Sequence, residues 1–196
     1  MTTRDIVFIA LFAAITAVAG IFPPITLPLL SVPITAQSLG VMLAGGVLGA
    51  KRGALSIILL LVLVAIGLPL LSGGRGGLAV FFGPSAGFLA GWVVAAFVIG
   101  WLTERFWDGL SFIHAALICA FGGIVVMYLI GIPWITLSAG VPLSKAIAGS
   151  IAFVPGDLVK CVIAAGVMIT VKHSYPIIGA RVCCQRGSHD PVGDQP

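Results

Sequence analysis

The sequence predicts an all-α membrane protein with six transmembrane helices, arranged as a bundle with both termini in the cytoplasm. Composition carries this prediction: 60% of the 196 residues are hydrophobic, 8% are charged, and the mean hydropathy is +1.21. A soluble domain carries about 25% charged residues, because polar side chains must cover its surface. Ten basic and six acidic residues are too few for that purpose, so the surface must face lipid. The composition excludes an ordinary soluble enzyme and a disordered chain.

The first two helices are predicted within residues 6–50, which contain no formal charge. About 20 apolar residues span the hydrocarbon core, so this stretch is long enough for two crossings. We place them at Ile6–Phe22 and Ala36–Ala50, with an ordered loop between them that holds Pro23, Pro24, Pro28 and Pro33. A cleaved signal peptide is the alternative for the start, since Ala17-Val18-Ala19 resembles a cleavage site.

Charged and glycine-rich turns delimit the next two helices. Lys51-Arg52-Gly53 is predicted to end helix two, and helix three then covers Ala54–Leu71. A loop of four glycines around one arginine, at residues 73–77, stops it. Helix four follows Gly83-Pro84 and continues to about Thr103, where charged residues mark an aqueous turn.

Two more apolar stretches complete the count of six. Helix five is predicted at Ser111–Leu137, with an irregularity at Gly131 and Pro133. Helix six begins after Pro155, because proline is well tolerated in a first helical turn, and it ends near Lys172.

The distribution of basic residues predicts the orientation. With six crossings, one side collects Arg4, Lys51, Arg52, Arg105, Lys172, Arg181 and Arg186, and the other collects Arg75 and Lys145. The side richer in basic residues is expected to be cytoplasmic. Residues 1–182 then form the transmembrane domain, and the polar tail 183–196 is expected to be disordered. Because the basic residues are scattered, no nucleic acid is expected as a partner.

Asp157 and Lys160 are the charges that topology does not explain. They lie at i and i+3 where an apolar helix begins, so both side chains emerge on one helix face. A charge inside a membrane segment costs about 2.5–3.5 kcal/mol at the bilayer centre. An internal salt bridge would lower that cost without any function. The alternative is that the pair lines a cavity and binds a polar solute.

The other chemical motifs are weaker. Arg75 lies among the four glycines and has two interpretations. It could bind a carboxylate, or it could be a solvated side chain in a flexible turn. Gly83-Pro84-Ser85-Ala86-Gly87 matches the nucleophile motif of serine hydrolases, but no strand pattern precedes Ser85 and no histidine is visibly paired with it. No ATP-binding phosphate loop and no metal-ligand spacing occur in the sequence, so no cofactor and no metal are expected.

Four motifs occur in a fixed order along the chain: Gln37 after the segment 32–36, the glycine loop 73–77, Gly83-Pro84-Ser85-Ala86-Gly87-Phe88, and Pro155-Gly156-Asp157-Leu158-Val159-Lys160. Together they resemble the BioY family, the biotin-specific substrate-binding (S) components of energy-coupling factor (ECF) transporters. The resemblance covers about residues 4–175. This sequence departs from the family pattern in having Ser85-Ala86-Gly87-Phe88 where Thr-Gly-Gly-Tyr is expected, so a tyrosine hydroxyl at position 88 is absent.

The resemblance implies a six-helix protein of the bacterial inner membrane with a biotin pocket that opens to the outside. It also implies docking on a transmembrane coupling subunit with two ABC-type ATPases, through an Ala-xxx-Ala face at Ala10 and Ala14. The resemblance leaves open whether this chain needs that module, because some members are thought to transport biotin alone. No catalytic activity of the chain itself is expected.

For biotin, the chemistry of the candidate residues suggests a division of roles. Asp157 would accept from the ureido N–H groups, Lys160 would donate to the ureido carbonyl or hold Asp157, and Arg75 would bind the carboxylate tail. Four aromatic residues are candidates for apolar walls: Phe81, Phe82, Trp134 and Phe153. Gln37, Gly74, Gly76 and Ser85 complete the candidate set. An S component for riboflavin or thiamine, an intramembrane hydrolase and a membrane scaffold remain as alternatives.

Overall fold

The computed structural model describes residues 1–22, 25–26, 33–174 and 178, and these form a bundle of α-helices. The helices are α1 Thr3–Val18, α2 Gln37–Leu48, α3 Ala50–Ala65, α4 Ala86–Arg105, α5 Phe112–Ala120, α6 Met127–Ala139, α7 Leu143–Ile151 and α8 Val154–Ser174. A π-helical turn, Phe121–Val126, joins α5 to α6, and short 3₁₀ turns occupy Ala19–Ile21 and Leu78–Phe82. Two-residue strands, β1 Ile25–Thr26 and β2 Pro33–Ile34, pair antiparallel with Ile25 opposite Ile34.

The prediction of a mostly helical membrane protein is confirmed. Four helical stretches in the described part of the chain are long and apolar enough to cross a bilayer: Thr3–Ile21, Ala86–Arg105, Phe112–Ala139 and Val154–Ser174. Helices α2 and α3 are shorter, at 12 and 16 residues. The count of six crossings therefore stays a prediction. The tail 183–196 and most of the predicted loop between helices one and two lie outside the described residues.

The predicted boundaries of helices two and three were wrong. The break falls at Gly49, whose φ of +86° is a left-handed conformation that favours glycine. The Lys51-Arg52-Gly53 segment lies inside α3 rather than before it. This helix ends at Ala65 and not at Leu71, because Gly67 also adopts a positive φ and Pro69 follows.

The irregularity in the fifth predicted helix was also misplaced. Residues 112–139 form one continuous helical stretch, and Pro133 lies inside α6. The deviation from α geometry occurs at Phe121–Val126, a turn that contains Gly122 and Gly123. Helix α7 was not predicted, because its nine residues give too short a pattern to separate from a loop.

Charged side chains gather at one end of the bundle. Arg52 lies 3.3 Å from Asp5, which pins the start of α1 to the start of α3. Glu104, at the end of α4, accepts a hydrogen bond of 3.0 Å from the backbone N–H of Ala50. Lys172 of α8 donates to the carbonyl of Leu110. These contacts bring together residues that the sequence assigns to the cytoplasmic side, and the connectivity places Arg75 and Lys145 at the opposite end.

The bundle centre is packed closely enough that small residues decide its geometry. A methyl group at Gly100 of α4 would overlap the backbone of Gly49 and Ala50 at the α2–α3 junction. A methyl group at Gly53 would meet the carbonyl oxygen of Ala44 at 2.7 Å. Glycine at such positions lets helix backbones approach each other in a membrane bundle.

Gly100→Ala is expected to destabilise the protein, because backbone atoms cannot move aside as the tip of a flexible side chain can. Overpacking of this kind costs about 1–3 kcal/mol of unfolding free energy. Thermal unfolding of the detergent-solubilised protein measures it. Gly166→Ala on α8 is the matched control, since nothing lies within 4 Å of the added methyl. Equal melting temperatures for the two variants would contradict the close approach.

Candidate functional site

A cavity of about 600 Å³, a volume that includes the open solvent at its mouth, lies at the end of the bundle away from the charged side chains. The polar side chains that line it are Thr35, Gln37, Ser38, Arg75, Ser85, Tyr128, Asp157 and Lys160. The apolar ones are Leu71, Phe88, Leu89, Trp92, Met127 and Phe153. Such a lining suits a ligand with an apolar body and a few polar groups.

Lys160 uses all three of its ammonium donors within the protein. Its Nζ lies 2.7 Å from the carbonyl oxygen of Thr35, 2.9 Å from Oγ of Ser38 and 2.9 Å from Oδ1 of Asp157. An ammonium group has three donors and no acceptor. Lys160 therefore ties the start of α2 to α8 and fixes one oxygen of the neighbouring carboxylate.

Asp157 is buried in the first turn of α8, with 6% of its surface exposed. Oδ1 accepts from Lys160, and Oδ2 accepts from the hydroxyl of Tyr128 at 2.5 Å. An ionised carboxylate has about four acceptor positions, so two remain after these bonds. In this arrangement Asp157 can accept a further hydrogen bond from a donor in the cavity.

Gln37 lies in the cavity wall, but its amide serves the fold. Nε2 donates to the carbonyls of Thr16 and Leu70, and Oε1 accepts from both the N–H and the hydroxyl of Ser72. The side chain is 1% exposed. These four bonds use its full capacity, so Gln37 joins α1, α2 and the loop after α3 around the cavity.

Arg75 also lines the cavity. Its Nε donates to the carbonyl of Ser72 at 3.2 Å, and the backbone pairs in both directions with Leu71. Among the described residues no partner is seen for the two terminal nitrogens of the guanidinium group. They form the end that can pair with a carboxylate in bidentate geometry.

The structure brings together part of the predicted site. Asp157, Lys160, Arg75, Gln37, Ser85 and Phe153 all line the cavity, whereas five other candidates do not: Gly74, Gly76, Phe81, Phe82 and Trp134. Phe82 is 82% exposed. Trp134 donates from Nε1 to the carbonyl of Gly83, outside the lining. Gly74 and Gly76 shape the loop that carries Arg75, Gly74 with a φ of +69°.

Sequence reasoning missed Tyr128, Ser38 and Trp92. The signal for Tyr128 was available, because it is one of two tyrosines in the chain and it interrupts an apolar helix. For Ser38 the signal was its position beside Gln37. The apolar lining, including Trp92, could not be separated from ordinary core residues by composition.

Ala10 and Ala14, the residues predicted for partner binding, are exposed on α1, whereas Ala13 between them is buried at 3% exposure. Helix α1 packs on α3 and α2 through its other face. The Ala10–Ala14 face thus points away from the bundle.

Ser85 does not have the surroundings of a hydrolase nucleophile. A 3₁₀ turn, Leu78–Phe82, precedes it, and α4 follows. His114 bonds to Ser111, and His173 bonds to the carbonyl of Ile169, both at exposed positions. No histidine lines the cavity within the described part of the chain.

The apolar helices and the partly polar cavity at one end of the bundle define a multi-pass membrane protein with a site for a small solute. A model of the BioY family matches residues 1–177, and the chain belongs to that family. Two curated relatives are both described as "Biotin transporter BioY". That of Rhizobium etli is 54% identical over 189 residues, covering 92% of this chain and 100% of the relative. That of Rhodobacter capsulatus is 48% identical, covering 88% and 95%.

A solved structure gives a similar result for the fold. It is the crystal structure of the "S-component for biotin from an ECF-type ABC transporter", which matches with a TM-score of 0.85 at 30% identity. The match covers 90% of this chain and 97% of that one.

Proposed function

We propose that this protein is the biotin-binding membrane subunit of a vitamin uptake transporter. It captures biotin at its outer face and delivers it inward with an energy-coupling module. The observation that carries the proposal is the Lys160–Asp157–Tyr128 network in a largely apolar cavity. Family membership and the names of the relatives support it.

Biotin has two ureido N–H donors, a ureido carbonyl, an apolar thiophane ring and a carboxylate tail. Since the donors of Lys160 are all in use, Lys160 acts by holding Asp157, which accepts from a ureido N–H. The hydroxyl of Ser85, in the cavity wall, is our candidate donor to the ureido carbonyl. Aromatic rings of Phe88, Trp92 and Phe153 cover the thiophane ring.

Arg75 binds the carboxylate tail in this proposal, so Arg75→Gln should lower the affinity for biotin about tenfold, the value of one charge-assisted pair. The methyl ester of biotin has no carboxylate charge and should bind the wild type and Arg75→Gln about equally. Titration calorimetry with both ligands gives the two ratios. If Arg75→Gln lowered the affinity for biotin and for its ester equally, Arg75 would have a structural role and would not bind the carboxylate.

The membrane arrangement is part of the same proposal. The protein crosses the bacterial inner membrane six times, with the charged end of the bundle and both termini in the cytoplasm. The cavity then faces outward. The exposed Ala10–Ala14 face of α1 contacts the transmembrane coupling subunit, which carries two ABC-type ATPases.

Binding measurements with the purified protein test the function. Micromolar biotin should raise the melting temperature, since a ligand that binds only the folded state stabilises it. Riboflavin and thiamine should not compete with labelled biotin, and a serine-reactive probe should not label Ser85. Displacement of biotin by either vitamin would favour another S component, and labelling of Ser85 would favour the hydrolase. Absence of any thermal shift would refute the proposal.

A further inference from the structure

We propose that Tyr128 is a positioning residue that makes Asp157 selective for one N–H donor of the ligand. The π turn Phe121–Val126 sets the helical register that brings the Tyr128 hydroxyl to Asp157. The inference deepens the proposed function and rests on it. It starts from a carboxylate that is held from two sides, by an ammonium group on Oδ1 and by a phenol on Oδ2.

The two bonds fix the rotation of the carboxylate group. The distance of 2.5 Å from the Tyr128 hydroxyl to Oδ2 lies in the range of charge-assisted O–H···O⁻ bonds, about 2.5–2.7 Å. With one bond to each oxygen, the carboxylate plane cannot turn without breaking one of them. The remaining acceptor positions then point in fixed directions. A ligand N–H that meets one of them forms a good bond, and an N–H elsewhere on the same ring does not.

Tyr128 is itself supported by an aromatic contact. The ring of Phe88 on α4 stands edge-on to the Tyr128 ring, with centroids 6.2 Å apart and planes at 80°. Aromatic pairs with this geometry stabilise a fold by more than the burial of their surface area alone. Among the described side chains, Tyr128 is the hydroxyl that bonds to Asp157, and the Phe88 ring packs against the edge of its ring.

The π turn explains how the phenol reaches that position. A π turn holds one more residue than an α-helical turn, so the residues that follow are rotated by about 100° relative to an uninterrupted α-helix. Gly122 and Gly123 lie within it, and a methyl on either would overlap Ile99 or Met42. Close packing on α4 and α2 thus holds the turn in place. Met127 and Tyr128, directly after it, both line the cavity.

The test compares biotin with its two derivatives that carry a methyl group on one or the other ureido nitrogen. In the wild type, the derivative that blocks the Asp157 bond should bind about tenfold or more weakly than the other, the value of one charge-assisted bond. In Tyr128→Phe the ratio of the two affinities should fall at least about threefold, because the carboxylate can then turn toward either nitrogen. A merely structural role would weaken all ligands by the same factor and leave the ratio unchanged.

Two further variants make the outcome decisive. The exchange Met127→Tyr with Tyr128→Met keeps the composition and moves the phenol by about 100° around α6. If the position of the phenol at 128 is what fixes Asp157, the exchange should lower the ratio of the two affinities as Tyr128→Phe does. An unchanged ratio overturns the register. Thr103→Val, a matched removal of a buried hydroxyl that bonds to Ile99, should leave the ratio unchanged. A wild type that binds both derivatives equally, or a Tyr128→Phe protein that does not fold, overturns the positioning role. A wild type that binds no biotin refutes the proposed function instead.

Discussion

Asp157→Asn is expected to lower the affinity for biotin by about 100-fold, the equivalent of about 3 kcal/mol. The amide loses the negative charge that strengthens a bond from a ureido N–H. It also leaves the ammonium group of Lys160 without its anionic partner at 2.9 Å, in a site where the aspartate side chain is 8% exposed. Both effects lower the affinity for biotin, because the positive charge that remains on Lys160 orients the amide oxygen toward Lys160. Titration calorimetry or competition with labelled biotin measures the loss.

Stability should fall together with affinity. Removing one partner of a buried ion pair costs about 3–5 kcal/mol when the other charge has no alternative partner. Lys160 keeps the carbonyl of Thr35 and the hydroxyl of Ser38, so the lower end of that range applies. Asp108→Asn, the same change in the exposed turn after α4, is the control and should leave biotin binding unchanged. Wild-type affinity in Asp157→Asn would show that biotin does not depend on this carboxylate.

The sequence was sufficient to predict the membrane class, and it singled out two charged residues that line the cavity, whose role in binding stays a prediction. Charges are rare in this chain, and each one in an apolar helix needs a partner or a function. Asp157 and Lys160 therefore stood out without any three-dimensional information. The structure adds what spacing cannot show, namely that Lys160 also bonds to Thr35 and Ser38, which lie more than 120 positions earlier in the chain.

The parts that sequence reasoning missed depend on tertiary packing or on backbone geometry. The break between α2 and α3 falls at Gly49, whose positive φ has no signal among the basic residues that follow it. Arg52 lies inside α3, where its Nε donates to the carbonyl of Leu48. The π turn at residues 121–126 has no pattern of its own in a uniformly apolar helix. Phe82 and Trp134 look like the aromatic residues that do line the cavity, and their positions follow from helix rotation that composition does not encode.

Lys160→Met is expected to abolish measurable biotin binding at micromolar concentration, although in our proposal Lys160 does not touch the ligand. The substitution removes three hydrogen bonds and the charge that holds Oδ1 of Asp157. The carboxylate is then buried with the Tyr128 hydroxyl as its remaining partner among the described residues. Leaving such a group without its counter-charge costs several kcal/mol, so the carboxylate is no longer held in the orientation in which it accepts from biotin.

The double variant Asp157→Asn with Lys160→Met separates binding from folding. Replacing both members of a buried ion pair is often neutral or stabilising, so the melting temperature should return toward that of the wild type. Biotin binding should stay absent, because the acceptor is gone. Lys51→Met, an exposed lysine at the charged end, is the control and should change neither property. A double variant that still binds biotin would contradict the role of the pair. If the protein were a membrane scaffold, biotin would not change the melting temperature of the wild type, of either single variant or of the double variant.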